Sequence, residues 1–219
     1  MPALKAAIIP VTPLQQNCTI IWDEETKAAM VIDPGGDVPA IMDAITGLGL
    51  TVERILLTHG HIDHAGGAAA LKEALPNARL EGPDERDSFL LDGLAEAGRK
   101  FGMDDARPVR PDAWLHEGDS VSLGEHRFDV LHCPGHTPGH IVFVNHAAGV
   151  ALVGDVLFQG SVGRTDFPYG DTVALLRAIR DKLMPLPDAM SFVCGHGPAS
   201  TIGAERASNP YVAEALALD

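Results

Sequence analysis

Short apolar runs separated by turn-forming residues dominate the pattern of hydrophobic and polar positions along the chain. Runs of about four to eight residues that are rich in Val, Ile and Leu and end at Gly, Pro, Asn or Asp are typical of β-strands. By this criterion the sequence predicts strands over residues 4–11, 18–22, 28–32, 52–57, 113–115, 121–123, 126–132, 141–144, 150–153 and 191–194.

Apolar positions at helical spacing indicate helices between these strands. They predict helices over residues 37–48, about 65–75, 84–101 and 171–183, and a last short helix after Pro210. We therefore expect an α/β (α+β) protein built as an αββα sandwich, with two packed sheets between outer helices, in a single domain over residues 1–219. The acidic helix over 84–101 either covers a site as a lid or packs as an insert, and we favour the insert.

Side chains of the metal-binding type follow the ends of several predicted strands. His59, His136, Asp155 and His196 each come shortly after an apolar run. Delivery of polar side chains from strand ends is how a rigid sheet scaffold builds a site on its loops. We therefore expect these four residues to meet at one edge of the sheets.

The densest such cluster is the string over residues 58–64, which carries His59, His61, Asp63 and His64. Neutral imidazole and carboxylate are the usual ligands of Zn²⁺ and related cations. In an extended segment, residues two apart point the same way, so His59 and His61 can converge on one ion. Asp63 and His64 fall where the chain turns into a helix and can face a second ion. The string predicts a metal site.

Composition limits the remaining possibilities. The chain of 219 residues is 46% hydrophobic, enough for a substantial core, and its net charge of −14 disfavours nucleic acid as a partner. No signal peptide and no apolar run of membrane-spanning length is visible, so we expect a soluble cytoplasmic protein without a membrane partner. Cys18, Cys133 and Cys194 form no C-x-x-C pair. We expect them to be buried apolar residues rather than disulfides or metal ligands.

Five separated motifs, taken in order, resemble the metallo-β-lactamase superfamily over nearly the whole chain. They are Val31-Ile32-Asp33-Pro34-Gly35, Thr58-His59-Gly60-His61-Ile62-Asp63-His64, Gly135-His136-Thr137, Gly154-Asp155 and Gly195-His196. Within the superfamily the chain is most similar to glyoxalase II, the hydroxyacylglutathione hydrolases, in a short form. The larger members carry a C-terminal helical domain that supplies part of the glutathione site. Residues 197–219 are too few for that domain, so we do not expect it here.

The resemblance implies two divalent metal ions, with zinc favoured and iron or manganese as alternatives. The first ion would be held by His59, His61 and His136, the second by Asp63, His64 and His196, with Asp155 bridging them and Asp63 and Asp155 counted as catalytic. A hydroxide shared by the metals would attack a thioester such as S-D-lactoylglutathione, releasing the hydroxy acid and glutathione in methylglyoxal detoxification. The implied partner is a small glutathione conjugate, and the sequence indicates no oligomeric state.

The substrate contacts leave alternatives open. Arg164 stands at the spacing where glyoxalase II has a lysine for the glycine carboxylate of glutathione. It either clamps that carboxylate or forms an internal salt bridge with Asp166. Phe158, three residues after Asp155, is a candidate for lining the acyl pocket.

Other members of the superfamily supply the competing functions. The stretch Gly-Arg-Thr-Asp-Phe over residues 163–167 also resembles persulfide dioxygenases, which would bind one iron through His59, His136 and Asp155 and oxidise glutathione persulfide. This oxidoreductase is the alternative function. A lactonase is a further possibility, whereas a secreted β-lactamase, a nuclease and a non-enzymatic metal-dependent binding domain fit less well.

A few polar residues complete the expectations. Asp33 either orients a ligand histidine or caps the following Pro-Gly-Gly turn, and we favour the cap. His132 and His140 flank His136 and serve either to support it or in local packing. The other histidines, His116, His126 and His146, are expected to be solvated.

Overall fold

Two β-sheets form the centre of the computed structural model, which describes residues 3–218. The strands of the first sheet lie side by side in chain order: β1 (Leu4–Val11), β2 (Gln16–Asp23), β3 (Ala28–Ile32), β4 (Thr51–Leu56) and β5 (Arg79–Glu81). The pairs β1–β2 and β2–β3 are antiparallel, whereas β3–β4 and β4–β5 are parallel.

The second sheet has six strands in the order β13-β12-β9-β8-β7-β6. Their bounds are β6 (Ser120–Leu123), β7 (His126–His132), β8 (Ile141–Asn145), β9 (Val150–Gly154), β12 (Ser191–Cys194) and β13 (Ser200–Thr201). Strand β12 runs parallel to β9, and the other neighbours are antiparallel. A separate hairpin joins β10 (Leu157–Phe158) to β11 (Ser161–Val162).

Helices cover the outer faces of both sheets. They are α1 (Val38–Gly47), α2 (Ile62–Ala65), α3 (Ala68–Ala74), α4 (Ser88–Asp92), α5 (Leu94–Phe101), α6 (Thr172–Ala178), α7 (Ile202–Ser208) and α8 (Pro210–Leu216). Helices α1, α3, α4 and α5 contribute to the apolar cluster on the outer face of the first sheet. Helices α6, α7 and α8 contribute to the corresponding cluster on the second sheet. The expected αββα sandwich is confirmed.

Alternation of side chains along each strand divides the core into three layers. In β2, Ile20 points to the helix-covered face of the first sheet and Ile21 to the space between the sheets. In β8, Val142 faces the outer helices while Phe143 packs between the sheets. Because both faces of these strands are buried, their sequences are continuous apolar runs rather than alternating patterns. Such runs are what allowed the strands to be predicted from the sequence.

The four helices predicted with bounds are shorter or divided, whereas the short helix predicted at Pro210 is present as α8. The segment 84–101 is a 3₁₀ turn (Glu85–Asp87) followed by α4 and α5, which meet at Gly93, so the prediction of one continuous helix is wrong. The segment 65–75 starts earlier, as α2, and bends at Gly66 and Gly67, where the Gly67 N–H donates to the Pro34 carbonyl at 2.9 Å. The segment 171–183 changes from α6 to a π-helical turn over Ile179–Leu183.

Several short elements depend on contacts that a local pattern does not contain. The predicted strand over 113–115 is wrong, because that segment makes only an isolated bridge between Ala113 and Glu81. The strands β5, β10, β11 and β13 and the helix α7 were not predicted. Each of these strands is only two or three residues long, too short for periodicity to mark it.

The three cysteines are free and buried, as predicted. Burial raises the pKa of the Cys133 thiol to about 12 and that of Cys194 to about 11. Within residues 3–218, no helix is both long and apolar enough to cross a membrane. The predicted domain range also includes residues 1, 2 and 219, which lie outside the described residues.

The packing between the sheets generates a prediction about stability. Phe143 is fully buried in that layer, so Phe143→Ala is expected to lower the free energy of unfolding by about 3–5 kcal/mol. Urea unfolding of the metal-free protein measures this change. Phe101→Ala is the matched control, because Phe101 is 50% exposed and its loss should change stability by no more than about 0.5 kcal/mol. Equal losses in the two variants would contradict this account of the core.

Candidate metal centre

The edge where the central strands end carries all seven side chains expected at the site. His59 and His61 lie in the loop after β4, and Asp63 and His64 lie in the short helix α2 that continues it. The loop after β7 carries His136, the residue following β9 is Asp155, and the loop after β12 carries His196. The structure therefore brings together side chains from four strand ends.

The first cluster contains His59, His61 and His136. Nδ1 of His61 lies 2.9 Å from Nε2 of His136 and 3.2 Å from Nε2 of His59. His59 and His136 are buried, and the ring of His61 meets both of theirs edge-on. Three imidazole nitrogens therefore face one point.

The second cluster contains Asp63, His64 and His196. Oδ2 of Asp63 lies 3.0 Å from Nε2 of His196 and 3.8 Å from Nε2 of His64. His64 is fully buried, whereas the His196 side chain is 31% exposed, so this cluster opens towards solvent on the His196 side.

Asp155 lies between the two clusters. Its Oδ2 is 3.5 Å from Nε2 of His136 in the first cluster and 3.7 Å from Nε2 of His196 in the second. Its Oδ1 is 3.3 Å from Nε2 of His64. One carboxylate thus reaches both clusters, as the predicted bridging role requires.

The donor atoms fit bound divalent cations. Nε2 of His64 and Oδ1 of Asp155 are buried and have no hydrogen-bond partner among the described residues. A buried polar atom without a partner costs free energy, and coordination to a cation removes that cost. Imidazole nitrogen and carboxylate oxygen are also the ligand types that zinc and similar divalent metals take.

The electrostatics of the first cluster favour neutral imidazoles. Burial lowers the pKa of His61 to about 3 and holds the pKa of His59 well below its usual value, and the neighbouring histidines lower both further. Only a neutral imidazole can bind a metal. These side chains are thus ready to act as ligands without releasing a proton.

The second cluster has the opposite balance. Burial disfavours the charged form of His64, but the carboxylates of Asp155, Asp63 and Asp33 outweigh it and raise the pKa of His64. Burial likewise opposes ionisation of Asp155, yet His64 and the other histidines hold the pKa of Asp155 below its usual value. The carboxylates therefore stay anionic and attract positive charge, which a proton or a metal ion can supply.

Four of the imidazoles bond to the protein through the nitrogen that faces away from the clusters. The pairs are His59 Nδ1 with Thr58 Oγ1 at 3.0 Å, His61 Nε2 with the Tyr169 hydroxyl at 2.9 Å, His64 Nδ1 with Asp33 Oδ2 at 2.9 Å, and His136 Nδ1 with the Arg164 carbonyl at 2.8 Å. When these nitrogens carry the hydrogen, the opposite nitrogen is free to bind a cation.

Asp33 orients two of these histidines, so the favoured prediction that its side chain caps the turn is wrong. It accepts hydrogen bonds from the Thr58 N–H and hydroxyl, both at 2.7 Å, in addition to the bond from His64. Because the Thr58 hydroxyl donates to Asp33, its oxygen can accept from His59. One buried carboxylate thus sets the ring nitrogen presented by a member of each cluster.

His140 supports the site from behind. Its Nε2 accepts a hydrogen bond from the backbone N–H of Asp155 at 3.0 Å, and its ring stacks on that of His59 at 4.6 Å. The supporting alternative is therefore the correct one for His140. His132 instead packs locally, with its Nε2 2.8 Å from the Pro138 carbonyl.

The three remaining histidines differ in their exposure to solvent. The side chains of His116 and His146 are 52% and 58% exposed, as predicted. The prediction for His126 is wrong, because His126 is only 4% exposed and its Nε2 lies 3.5 Å from Oδ2 of Asp23. It follows the tight turn at Gly124 and pairs inward with a residue from another sheet.

The two predicted substrate residues lie on opposite sides of the centre. The Phe158 ring is 6.3 Å from that of His196, at the second cluster. Arg164 lies beyond the first cluster and pairs with Asp166 at 2.9 and 3.2 Å, with its guanidinium 4.8 Å from the centre of the Phe167 ring. The Arg164–Asp166 salt bridge is thus present, and both side-chain partners of Arg164 are local.

Two residues of the site were missed from the sequence. Tyr169 forms a hydrogen bond with His61 but does not follow a strand. Asp87 contacts the loops of both His59 and His136, but it lies in the segment that was predicted as a plain helix. Burial raises the pKa of the Asp87 carboxyl to about 6. In the same segment Leu91 and Leu94 are buried in the apolar cluster of the first sheet, the packing expected of an insert.

The close approach at Gly195 generates a prediction. A Cβ there would overlap Oδ1 of Asp155 and come within 2.5 Å of Cε1 of His64. Gly195→Ala is therefore expected to displace these groups and weaken metal binding by at least about tenfold, measured by competition with a chromophoric chelator. Gly47→Ala is the control, because a Cβ at Gly47 meets nothing within 4 Å. Metal affinity equal to that of the parent protein in both variants would show that Gly195 does not shape the site.

Comparison with known proteins agrees with this geometry. The protein-family model of the metallo-beta-lactamase superfamily matches residues 11–196 of this chain. Hydroxyacylglutathione hydrolase GloC of Haemophilus influenzae is 48% identical over 206 residues, which cover 94% of this chain and 96% of that protein.

Two crystal structures are similar over nearly their whole length. The B3 metallo-beta-lactamase BLEG-1 has a TM-score of 0.87 and 34% identity, covering 95% of this chain and 99% of its own. The protein TTHA1623 in a di-iron-bound form has a TM-score of 0.84 and 36% identity, covering 94% and 99%. With its αββα fold and its His and Asp clusters at the strand ends, this chain belongs to the metallo-β-lactamase superfamily, as the five sequence motifs predicted.

Proposed function

We propose that this protein is a dinuclear metal hydrolase that cleaves the thioester of a glutathione conjugate such as S-D-lactoylglutathione. The observation that carries the proposal is the position of Asp155 between the His59, His61 and His136 group and the Asp63, His64 and His196 group. A third group of possible ligands, Asp33, His59 and His64, links the two. We propose His59, His61 and His136 as ligands of one ion and Asp63, His64 and His196 as ligands of the other. Asp155 would bridge them, and zinc, iron and manganese are the candidate metals.

Known proteins support both parts of the proposal. The 48% identical relative from Haemophilus influenzae carries the name of a hydroxyacylglutathione hydrolase, and the similar structure TTHA1623 was crystallised with two irons. A single αββα domain over residues 1–219 is sufficient for the proposal, because all seven proposed ligands come from it.

When bound, the two cations would polarise the thioester carbonyl and lower the pKa of a water, so that a nucleophile forms near neutral pH. The residues of the chain contribute position and charge. Asp155 and Asp63 carry negative charge that would balance the positive charge of the cations. Asp33, Thr58 and Tyr169 hold the imidazole rings in the orientation that presents a free nitrogen.

The reaction adds water across the carbon–sulfur bond. The water oxygen gives up a proton to the solvent and bonds to the carbonyl carbon, the carbon–sulfur bond breaks, and the glutathione sulfur leaves as a thiolate. A thiol has a pKa of about 8.5, so its anion leaves without a proton from a general acid. For this reason the proposal assigns no acid, and the buried thiols of Cys18, Cys133 and Cys194 have no part in it.

We propose Phe158 and Arg164 as the substrate contacts. Phe158 lies beside His196, on the side where the second cluster is open to solvent, and would line the acyl pocket. Arg164 is 70% exposed on its side chain and pairs with an exposed carboxylate. Such exposed pairs contribute little to stability, so a substrate carboxylate can replace Asp166 at small cost.

The 48% identical relative named hydroxyacylglutathione hydrolase favours this hydrolase over the alternative dioxygenase. A mononuclear iron site would use His59, His136 and Asp155, so the number and kind of metal ions bound to the purified protein distinguish the two. The similarity to a B3 metallo-beta-lactamase makes β-lactam hydrolysis a second activity to measure, but the relative of higher identity carries the name of a hydroxyacylglutathione hydrolase.

The proposal predicts that the purified protein hydrolyses S-D-lactoylglutathione, with a kcat on the order of 1–10³ s⁻¹. Thioester loss is followed by absorbance, and metals are quantified by mass spectrometry in the same sample, where close to two ions per chain are expected. Absence of hydrolysis with about one iron per chain and oxygen uptake on glutathione persulfide would overturn it in favour of the dioxygenase. Faster turnover of a β-lactam would overturn the choice of substrate.

The two-metal mechanism predicts the behaviour of Asp63→Ala. Loss of this carboxylate is expected to empty the second metal position and to lower kcat by at least about a hundredfold, or about 2.7 kcal/mol of barrier, with the fold retained. Metal content, turnover and circular dichroism test the three parts. Asp43→Ala, at an exposed position in α1, should change none of them. Full activity of Asp63→Ala with one ion bound would count against the dinuclear mechanism.

The proposed clamp predicts opposite effects for the two members of the Arg164 pair. Arg164→Ala should raise the KM for the glutathione thioester several-fold with kcat nearly unchanged, because it removes a contact made equally in the ground and transition states. Asp166→Ala should lower KM, because it frees the guanidinium. If the salt bridge only shapes the loop, both variants should show the same increase in KM. Equal increases in KM would therefore rule out the clamp.

A further inference from the structure

Asp87 is a buried carboxylate outside the two metal clusters. It ends the 3₁₀ turn Glu85–Asp87 at the start of the insert, and the residue has no exposed surface. Among residues 3–218, no Lys or Arg lies within salt-bridge distance of it; Arg86 pairs with Asp84 instead. A buried charge without a partner of opposite sign is costly, so the hydrogen bonds that it accepts are what hold it in place.

Those hydrogen bonds run to both loops that carry the first cluster. Oδ2 of Asp87 accepts from the Gly60 N–H at 2.9 Å, between His59 and His61. The same oxygen accepts from the Thr137 hydroxyl at 2.7 Å, and Oδ1 accepts from the Gly139 N–H at 2.5 Å. Thr137 follows His136 directly. One side chain therefore joins two segments that are 77 residues apart, from Gly60 to Thr137, and that supply all three members of the first cluster.

Glycines at the contact points allow this close approach. A Cβ at Gly60 would lie 2.7 Å from Cβ of Leu90 and 3.2 Å from the Asp87 carbonyl. A Cβ at Gly139 would lie 2.6 Å from both the Asp84 carbonyl and the Asp87 nitrogen. The insert thus packs directly on the backbone of both ligand loops, independently of the hydrogen bonds.

The second cluster is held by other groups. His64 is oriented by Asp33. The loop of His196 is attached to the start of β2 through Asn17, whose Nδ2 donates to the Cys194 and Gly197 carbonyls at 3.0 and 2.9 Å. The hydrogen bonds of the Asp87 carboxylate involve none of these residues. Its effect should therefore be confined to one metal position.

We propose that Asp87 is a positioning residue for the first metal site, where it holds the His59–His61 loop and the His136 loop at the separation that a single ion requires. The inference rests on the proposed two-metal centre. It assigns to the insert a role in metal affinity that is distinct from covering the active site.

Metal binding to Asp87→Asn tests the inference. Asparagine keeps the size of the side chain but offers one oxygen in place of two and turns an N–H group towards donors. Metal-free protein is titrated with Zn²⁺ against a chromophoric chelator, and bound ions are counted by mass spectrometry. The variant is expected to bind one ion with the affinity of the parent protein and the other about 10- to 100-fold more weakly, the usual effect of losing a group that orients ligands.

Asp84→Asn is the matched control. Asp84 is buried in the same turn, but its carboxylate accepts from Arg86 and contacts His116 rather than the ligand loops. This variant should lose stability in urea without losing metal affinity. Combining Asp87→Asn with Asp63→Ala identifies the weakened position, because the double variant should bind no ion tightly.

Three outcomes would overturn the inference. They are two ions bound to Asp87→Asn with unchanged affinity, equal losses of affinity in Asp87→Asn and Asp84→Asn, and a double variant that still binds one ion tightly. If the parent protein itself binds a single ion, the dinuclear proposal fails. The role of Asp87 is then tested separately, by whether Asp87→Asn lowers the affinity for that one ion. If Asp87→Asn does not fold, Thr137→Val takes its place, because it removes one of the three donors to Asp87. This variant should lower the affinity for the same ion by a smaller factor. Unchanged affinity would then overturn the inference.

Discussion

The concentration of buried imidazoles and carboxylates at one edge of two sheets is the constraint on which the rest of this structure depends. Among residues 3–218, His64 and Asp155 each present a buried atom with no hydrogen-bond partner, and three carboxylates lie beside His64, Asp33 at Nδ1 and Asp63 and Asp155 at Nε2. Groups of this kind are stable in a protein interior only when positive charge and coordination compensate for the lost water. Asp33, Tyr169 and the Arg164 carbonyl form hydrogen bonds with the imidazoles and hold them in the orientation that coordination requires.

The sandwich supplies the rigidity that such a centre requires. Strands β4, β7, β9 and β12 end at the same edge, and their apolar side chains are locked between layers of core. The register of β12 shifts at Val193 and Cys194, just before the loop of His196, and an isolated bridge joins His196 to Gln16 at the start of β2. The two sheets are therefore linked at the site itself, so the two clusters keep a constant separation.

The surface around the centre is less constrained than its interior. Arg164 and Asp166 are both exposed, and the half-exposed aromatic residues near them pack on one another. Little free energy is stored in such contacts, so this side can adapt to a substrate while the ligands stay in place.

The sequence by itself determined the sandwich, the strand ends and the seven residues of the centre. Buried strands need continuous apolar runs, and metal ligands need a small set of residue types at fixed local spacing. Tertiary structure alone decided the roles of Asp33, Asp87 and Tyr169, which contact ligands or ligand loops 25 to 108 residues away in the chain. It also decided the break at Gly93 and the burial of His126. A hydrogen bond between distant segments leaves no periodic pattern in either of them, because it depends on how the layers pack and not on local spacing.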